Sequence, residues 1–297
     1  MTDLDEQLTW EPAPGHNDEV LYAVDGPLGR VRLNRPRAIN ALTRAMVDSL
    51  KERLEAWWGD ASVAAVVIDG AGERGLCAGG DVRAVRESVL AGRPAEASEF
   101  WRMEYAVNGL IAAYPKPYIA WMDGIVMGGG VGLSGHGSVR LATERTRVAM
   151  PETIIGLFPD VGGTYLLSRA PGELGTYAAL TGTTLNGADA VELGLADVVV
   201  PSGAKDAVLA ALRDDPSLGA TALAEVVAKG SASTGFGSTV AAAGSAAGAD
   251  MPRSHLAQER NWIDECFTGD DASAIVERLR SHPEPGSADV HGRVTGS

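Results

Sequence analysis

Trp121-Met-Asp-Gly-Ile-Val-Met-Gly-Gly-Gly-Val-Gly-Leu133, followed by Met150-Pro-Glu-Thr-Ile-Ile-Gly-Leu-Phe-Pro-Asp-Val-Gly-Gly163, decides how this chain reads. Three consecutive glycines, Gly128 to Gly130, let backbone amides approach a ligand with no side chain in the way. Two carboxylates, Glu152 and Asp160, follow in an otherwise apolar setting. Exposed amides beside desolvated carboxylates are what chemistry at a carbonyl requires. Taken alone, each part has a plainer reading. A glycine run marks a tight turn, Glu152 after Pro151 suits the first turn of a helix, and Asp160 suits a helix cap.

Outward from that stretch, the 297 residues are 45% hydrophobic and 22% charged, enough to bury a sizeable core. A net charge of -14 argues against nucleic acid or an anionic membrane surface as partner, since both need clustered Lys and Arg. It leaves room for a small anionic ligand held by a few local cations. Cys77 and Cys266 lie far apart without Cys-x-x-Cys or Cys/His spacing, so neither a disulfide framework nor a metal site is expected. No apolar run is long enough to span a bilayer, and a cytoplasmic location is the expectation.

The chain alternates strand and helix signals. Glu19 to Asn34 reads as a hairpin turning at Asp25 to Gly29. Thr43 can cap a helix whose apolar positions Met46, Val47, Leu50, Leu54, Trp57 and Trp58 keep helical spacing. The continuous run Val63 to Ile68 reads as a strand covered on both faces. A helix is expected from about Ala95 to Ala113, then strands at Tyr118 to Met122 and near Val139 to Ala142. From Pro171 onward helical segments dominate, which places an α/β core before a mainly helical C-terminal part. The expected organisation is a disordered N-terminus over 1–18, a core over 19–200, and a helical region over 201–282. Within the last, the Gly/Ala/Ser tract 230–250 reads as flexible, and 283–297 as a disordered tail.

Four blocks carry a family resemblance: Leu33-Asn-Arg-Pro-Arg-Ala-Ile-Asn-Ala-Leu42, Gly75-Leu-Cys-Ala-Gly-Gly-Asp-Val-Arg83, Met122 to Ser134, and Met150 to Gly163. With Leu180-Thr-Gly182 they span roughly residues 20 to 200. In their order and spacing the chain resembles the crotonase (enoyl-CoA hydratase/isomerase) superfamily, and within it the 3-hydroxyisobutyryl-CoA hydrolases. The resemblance implies an α/β crotonase-like spiral of ββα units and an acyl-CoA substrate, with CoA part of that substrate and no cofactor. It also implies a homo-oligomer, a trimer or hexamer. The hydrolases extend well past where the resemblance here fades, in the 230–250 tract, before a faint return at Asn261 to Phe267.

Carried onto this sequence, the resemblance assigns the oxyanion hole to the amides of Cys77 and Gly129. Ala78, Gly79, Gly80 and Gly128 shape the substrate site around them, and Arg37 falls in a block that lies near the CoA phosphates in relatives. An exposed arginine there contributes equally to solubility. Hydratases of the superfamily use two glutamates. The first is replaced by Gly132 here, Glu152 keeps the second, and Asp160 adds a carboxylate where hydratases commonly have glycine. That swap is the hydrolase pattern, with Glu152 attacking the thioester or activating water, and Asp160 orienting water or a 3-hydroxyl. Glu104, in Arg102-Met-Glu-Tyr105, matches a glutamate that contributes to substrate binding, although a solvated helix face is its plainer reading. His136 reads as structural. The implied activity is hydrolysis of 3-hydroxyisobutyryl-CoA in valine catabolism, with an enoyl-CoA hydratase or isomerase, or a weakly catalytic acyl-CoA-binding protein, as alternatives. A glutamate placed at position 132 is expected to be tolerated by the fold.

Overall fold

A computed structural model describes residues 8–233 and 251–295. The hairpin forms from β1 (Val20–Asp25) and β2 (Leu28–Leu33), paired from Val20 with Leu33 to Asp25 with Leu28, so the turn narrows to Gly26 and Pro27. Thr43 caps α1 (Arg44–Trp58), its side chain accepting from the Met46 N–H at 3.1 Å. Met46, Val47, Leu50, Leu54 and Trp57 form the buried face of that helix.

From there the chain repeats one move. β3 (Ala65–Gly70), β5 (Tyr118–Met122) and β7 (Val139–Ala142) each join a six-stranded sheet. The strand after each, β4 (Gly75–Cys77), β6 (Ile125–Met127) and β8 (Arg147–Ala149), leaves for a second sheet of four. β9 (Leu185–Asn186) completes the second sheet, and β10 (Val198–Val199) ends the first, whose order is β1-β2-β3-β5-β7-β10. Helices follow each pair: α2 (Val82–Leu90) and α3 (Pro94–Ala112) after β4, and the short α4 (Gly129–Ser134) after β6. This is a spiral of ββα units. Each turn of it brings the loop after a second-sheet strand to the same end of the molecule.

Side-chain alternation explains the apolar strand runs. Val66 and Ile68 in β3 pack into one core and Ala65 and Val67 into another; Tyr118, Ala120 and Met122 oppose Ile119 and Trp121 in β5 in the same way. The second core is closed by α8 (Lys205–Asp214) and α9 (Ala220–Ser233), through Leu209, Leu212, Leu223 and Val227. Between β8 and α8 lie α5 (Gly163–Leu167), α6 (Leu174–Thr181) and α7 (Gly187–Glu192). After the undescribed stretch come α10 (His255–Phe267), α11 (Ala272–Ser281) and α12 (Pro285–Thr295).

Both ends depart from expectation. Residues 8–18 are tied down: Glu11 exchanges backbone hydrogen bonds with Tyr22 at 3.0 and 2.8 Å, and Trp10 lies under the Arg32 guanidinium at 4.2 Å. Pro285–Thr295, read from composition as a disordered end, is helical, with Val290 buried against the main core. Two valines four residues apart, Val290 and Val294, are a faint signal, made sufficient by packing against α11 and α6. Of the 230–250 tract, residues 230–233 end α9 and the remainder lies outside the described residues, as do 1–7 and 296–297.

Candidate active site

Glu104 enters the site from α3. The buried stripe of that helix runs Ala97, Phe100, Glu104, Val107, Asn108 and Ile111, and Glu104 takes one of its apolar places. It is 3% exposed and its Oε1 has no hydrogen-bond partner. Burial, and then the charges of Asp160 and Glu152, push its pKa from 4.5 up to about 8. The solvated-face reading therefore fails for this residue.

Glu152 opens a single 3-10 turn, Glu152–Ile155, that ends at Gly156 with φ +77. It too is buried, with Oε2 unpartnered. Burial first, and Asp160 second, raise its pKa from 4.5 to about 7. The glycine run makes room for both acids: a Cβ on Gly128 would stand 2.9 Å from Glu152 Oε1, and one on Gly129 would collide with Glu104 Oε1.

Asp160 is presented by a constrained turn. Val161 has φ +46 and Gly162 φ +81, and a β-branched residue in the left-handed region is strained by about 1–3 kcal/mol. His136 holds the turn, its Nε2 donating to the Val161 carbonyl at 2.8 Å, and the Gly163 N–H donates to the Asp160 carbonyl. Asp160 is not a helix cap, since α5 starts beyond it with Gly162 at its N-cap and no side-chain cap bond. Its carboxylate instead accepts from Tyr105 Oη at 2.7 Å. Burial raises its pKa, against that hydrogen bond.

The three acids meet around a cavity of about 310 Å³, walled by Val82, Val85, Phe100, Ile154 and Leu157 and floored by Ala78, Gly79, Gly80, Gly128 and Gly129. No Lys, Arg or His lines it among the described residues. Without a cation to balance them, the apolar pocket raises the pKa of all three carboxylates, and Glu104 and Glu152 hold protons into the neutral range.

The amides facing this pocket differ from those expected. Cys77 lies within β4 opposite Val126 of β6, fully buried, and does not line the cavity. Burial pushes its thiol up to about 12, so it is no nucleophile. The Ala78 N–H donates to Ile39 O at 2.9 Å and the Gly79 N–H to Cys77 Sγ at 3.4 Å. Among the described residues, the N–H groups of Gly80 and Gly129 have no such partner. They lie side by side, with the Gly80 nitrogen 3.3 Å from where a Gly129 Cβ would stand. The amide pair facing the cavity is therefore Gly80 with Gly129, where the family resemblance pointed to Cys77 with Gly129. Arg37 is exposed in the short 3-10 turn Pro36–Ala38 and is not brought to the cavity. Tyr105 was missed, because nothing local marks it: its partner is 55 residues away.

Position 132 is also corrected. A Cβ there would come 2.7 Å from both Asn108 Nδ2 and Val161 Cβ, so Gly132 is filled space, and a glutamate does not fit without displacing buried neighbours.

A paired-amide cradle beside buried acids, built on a ββα spiral, is the arrangement of the crotonase class. The enoyl-CoA hydratase/isomerase family model matches residues 28–293, and the chain belongs to that family. It is 50% identical over 184 residues to the mitochondrial 3-hydroxyisobutyryl-CoA hydrolase of Danio rerio, and 39% identical over 268 residues to that of Rattus norvegicus. The first match covers 62% of this chain and 48% of the relative, so the aligned part is about half the relative's length; the second covers 90% and 66%. Both relatives are described as mitochondrial and lend no support to a cytoplasmic location. Among solved structures, a carnitinyl-CoA dehydratase from Mycobacterium thermoresistibile superposes with TM-score 0.80 at 48% identity, covering 94% of this chain and 75% of that one. An enoyl-CoA hydratase from Rhodobacter sphaeroides superposes with TM-score 0.78 at 37% identity, covering 93% and 73%.

Proposed function

We propose that this chain hydrolyses a short hydroxyacyl-CoA thioester of the 3-hydroxyisobutyryl type, releasing the acid and CoA. The observation that carries this reading is the acid set. Glu152 and Asp160 both face the cavity, while Gly132 is closed off by Asn108 and Val161, so no second glutamate can enter from that side. Hydration of a double bond calls for a paired acid and base across the alkene; a thioester carbonyl needs an oxyanion cradle and one base for water.

In this mechanism the thioester oxygen accepts from the Gly80 and Gly129 amides, a contribution of about 3 kcal/mol per donor in comparable sites. Glu152, with a pKa of about 7, takes a proton from water as the water oxygen bonds to the carbonyl carbon. The tetrahedral intermediate then expels the CoA thiolate, which receives the proton from Glu152. Asp160 accepts a hydrogen bond from the acyl hydroxyl or from the attacking water, and Glu104, carrying its proton, bounds the acyl group from α3. The reaction calls for no cofactor, CoA being part of the substrate. A homo-oligomer, trimeric or hexameric, accompanies this reading and is checked by sedimentation.

The test is a panel of acyl-CoA thioesters followed in parallel by free thiol and by enoyl absorbance. Thiol release that is fastest with branched 3-hydroxyacyl groups supports the proposal. Absorbance change without thiol release replaces it with a hydratase, and tight binding with neither leaves a binding protein.

A further inference from the structure

Tyr105 lies next to Glu104 on α3, yet the two side chains serve different places. Successive residues on a helix point about 100° apart, so the turn that buries Glu104 among Phe100 and Val107 leaves Tyr105 41% exposed with its hydroxyl 2.7 Å from Asp160 Oδ2. A tyrosine this exposed gains little from burying its ring. Its definite contact is the charge-assisted hydrogen bond, of the stronger kind. Asp160 Oδ1 has no hydrogen-bond partner among the described residues. The backbone of Asp160 is fixed separately by His136 on the Val161 carbonyl and by the Gly163 N–H. Besides its own backbone N–H, the carboxylate has one side-chain hydrogen bond among the described residues that sets its rotation, and Tyr105 supplies it.

We propose that Tyr105 is a positioning residue for Asp160: its hydroxyl turns the carboxylate so that Oδ1 is free for the substrate hydroxyl or water. Three acids share the pocket, and a neutral donor favours the charged form of the one it touches. Asp160 faces Glu104 and Tyr105 from α3 and Glu152 from the 3-10 turn, and His136 reaches it only through the Val161 carbonyl. Burial raises the phenol pKa further, so Tyr105 remains a donor across the working range. Glu104, whose pKa lies highest of the three, keeps its proton and so adds no charge beside Asp160. This assignment rests on the hydrolase reading for its kinetic consequence, but not for its electrostatic one.

The experiment compares the wild-type chain with Tyr105→Phe, which keeps the ring. The Asp160 carboxyl carbon is followed by carbon NMR in protein labelled at aspartate, its signal assigned by its loss in Asp160→Asn. Removing a donor from the ionised form makes ionisation harder, so the midpoint is expected to rise by about one pH unit. With a 3-hydroxyacyl-CoA, kcat for thiol release is expected to fall about tenfold with KM within twofold. An unshifted Asp160 midpoint overturns the proposal, as does a variant that changes KM alone. If wild type releases no thiol from any acyl-CoA, the functional reading falls while the NMR midpoint still decides Tyr105.

Discussion

Glu104 offers the most demanding test of the site's electrostatics, because it links catalysis to stability. Its pKa rises from 4.5 to about 8 in the folded protein. An acid with a raised folded pKa binds more protons folded than unfolded, so its ionisation opposes folding. The sign follows from linkage: stability falls as pH climbs from the unfolded value through the folded one, and is unaffected below both. Taken at face value, the rise corresponds to about 5 kcal/mol lost by pH 9 and about 3 kcal/mol by pH 7. Asp160 and Glu152 supply part of that rise and can relieve it by taking protons themselves. About half the full value is therefore expected from a single substitution.

Glu104→Gln keeps the shape and removes the charge. The variant should match wild type at pH 5 and exceed it by about 2 kcal/mol or more at pH 9. Urea unfolding at pH 5, 7 and 9 measures this directly, with equal m-values required for the comparison. A difference independent of pH, or a glutamine variant less stable at pH 9, would refute the claim that Glu104 is an unbalanced buried acid.

Other consequences can be checked alongside. Glu152→Gln and Asp160→Asn should each lower kcat about 100-fold or more in the thiol-release assay, and near-normal turnover in both would remove the assignment. Because the Asp160 charge helps raise the Glu152 pKa, the residual activity of Asp160→Asn should retain its acid limb at lower pH than wild type, read from a pH–rate profile. Gly132→Ala should destabilise by about 1–3 kcal/mol in thermal unfolding, since its methyl meets Asn108 and Val161 at 2.7 Å. Val161→Gly relieves a left-handed valine but empties a buried core position, so the unfolding temperature should stay level or fall, while activity falls as Asp160 loses its fixed approach. A variant that gains activity would show that the turn does not position the acid.

Much of the architecture could be read from the chain because its signals are local. The Thr43 cap, the periodic face of α1 and the two-sided apolar run of β3 each depend on residues within a few positions of one another. Glu104 came only from the family resemblance, because its place in the buried stripe with Phe100, Val107 and Ile111 depends on what α3 packs against. The errors fall where the outcome depends on distant partners. Within Cys77-Ala-Gly-Gly80 every residue carries an N–H, and that of Ala78 is taken by the carbonyl of Ile39, a distant partner that no local pattern shows. Gly132 looked like a deleted glutamate, yet its smallness serves Asn108 and Val161.

The same contrast explains why the glycine run could be trusted. Gly128 and Gly129 answer to Glu152 and Glu104, and Gly130 to the Cys77 carbonyl, where any Cβ would collide. Each glycine in the run is required by a different neighbour. A tight turn needs a positive φ at one position, and only Gly128, at φ +50, has it here. The smallness of the other two therefore reflects the acids and the ladder packed against them. The plain turn reading and the catalytic reading thus predict different tolerance at Gly129. If the run were only a turn, alanine there would fold and function normally. With Glu104 Oε1 in the path of the new methyl, alanine should displace the acid and lower turnover even though the amide donor remains.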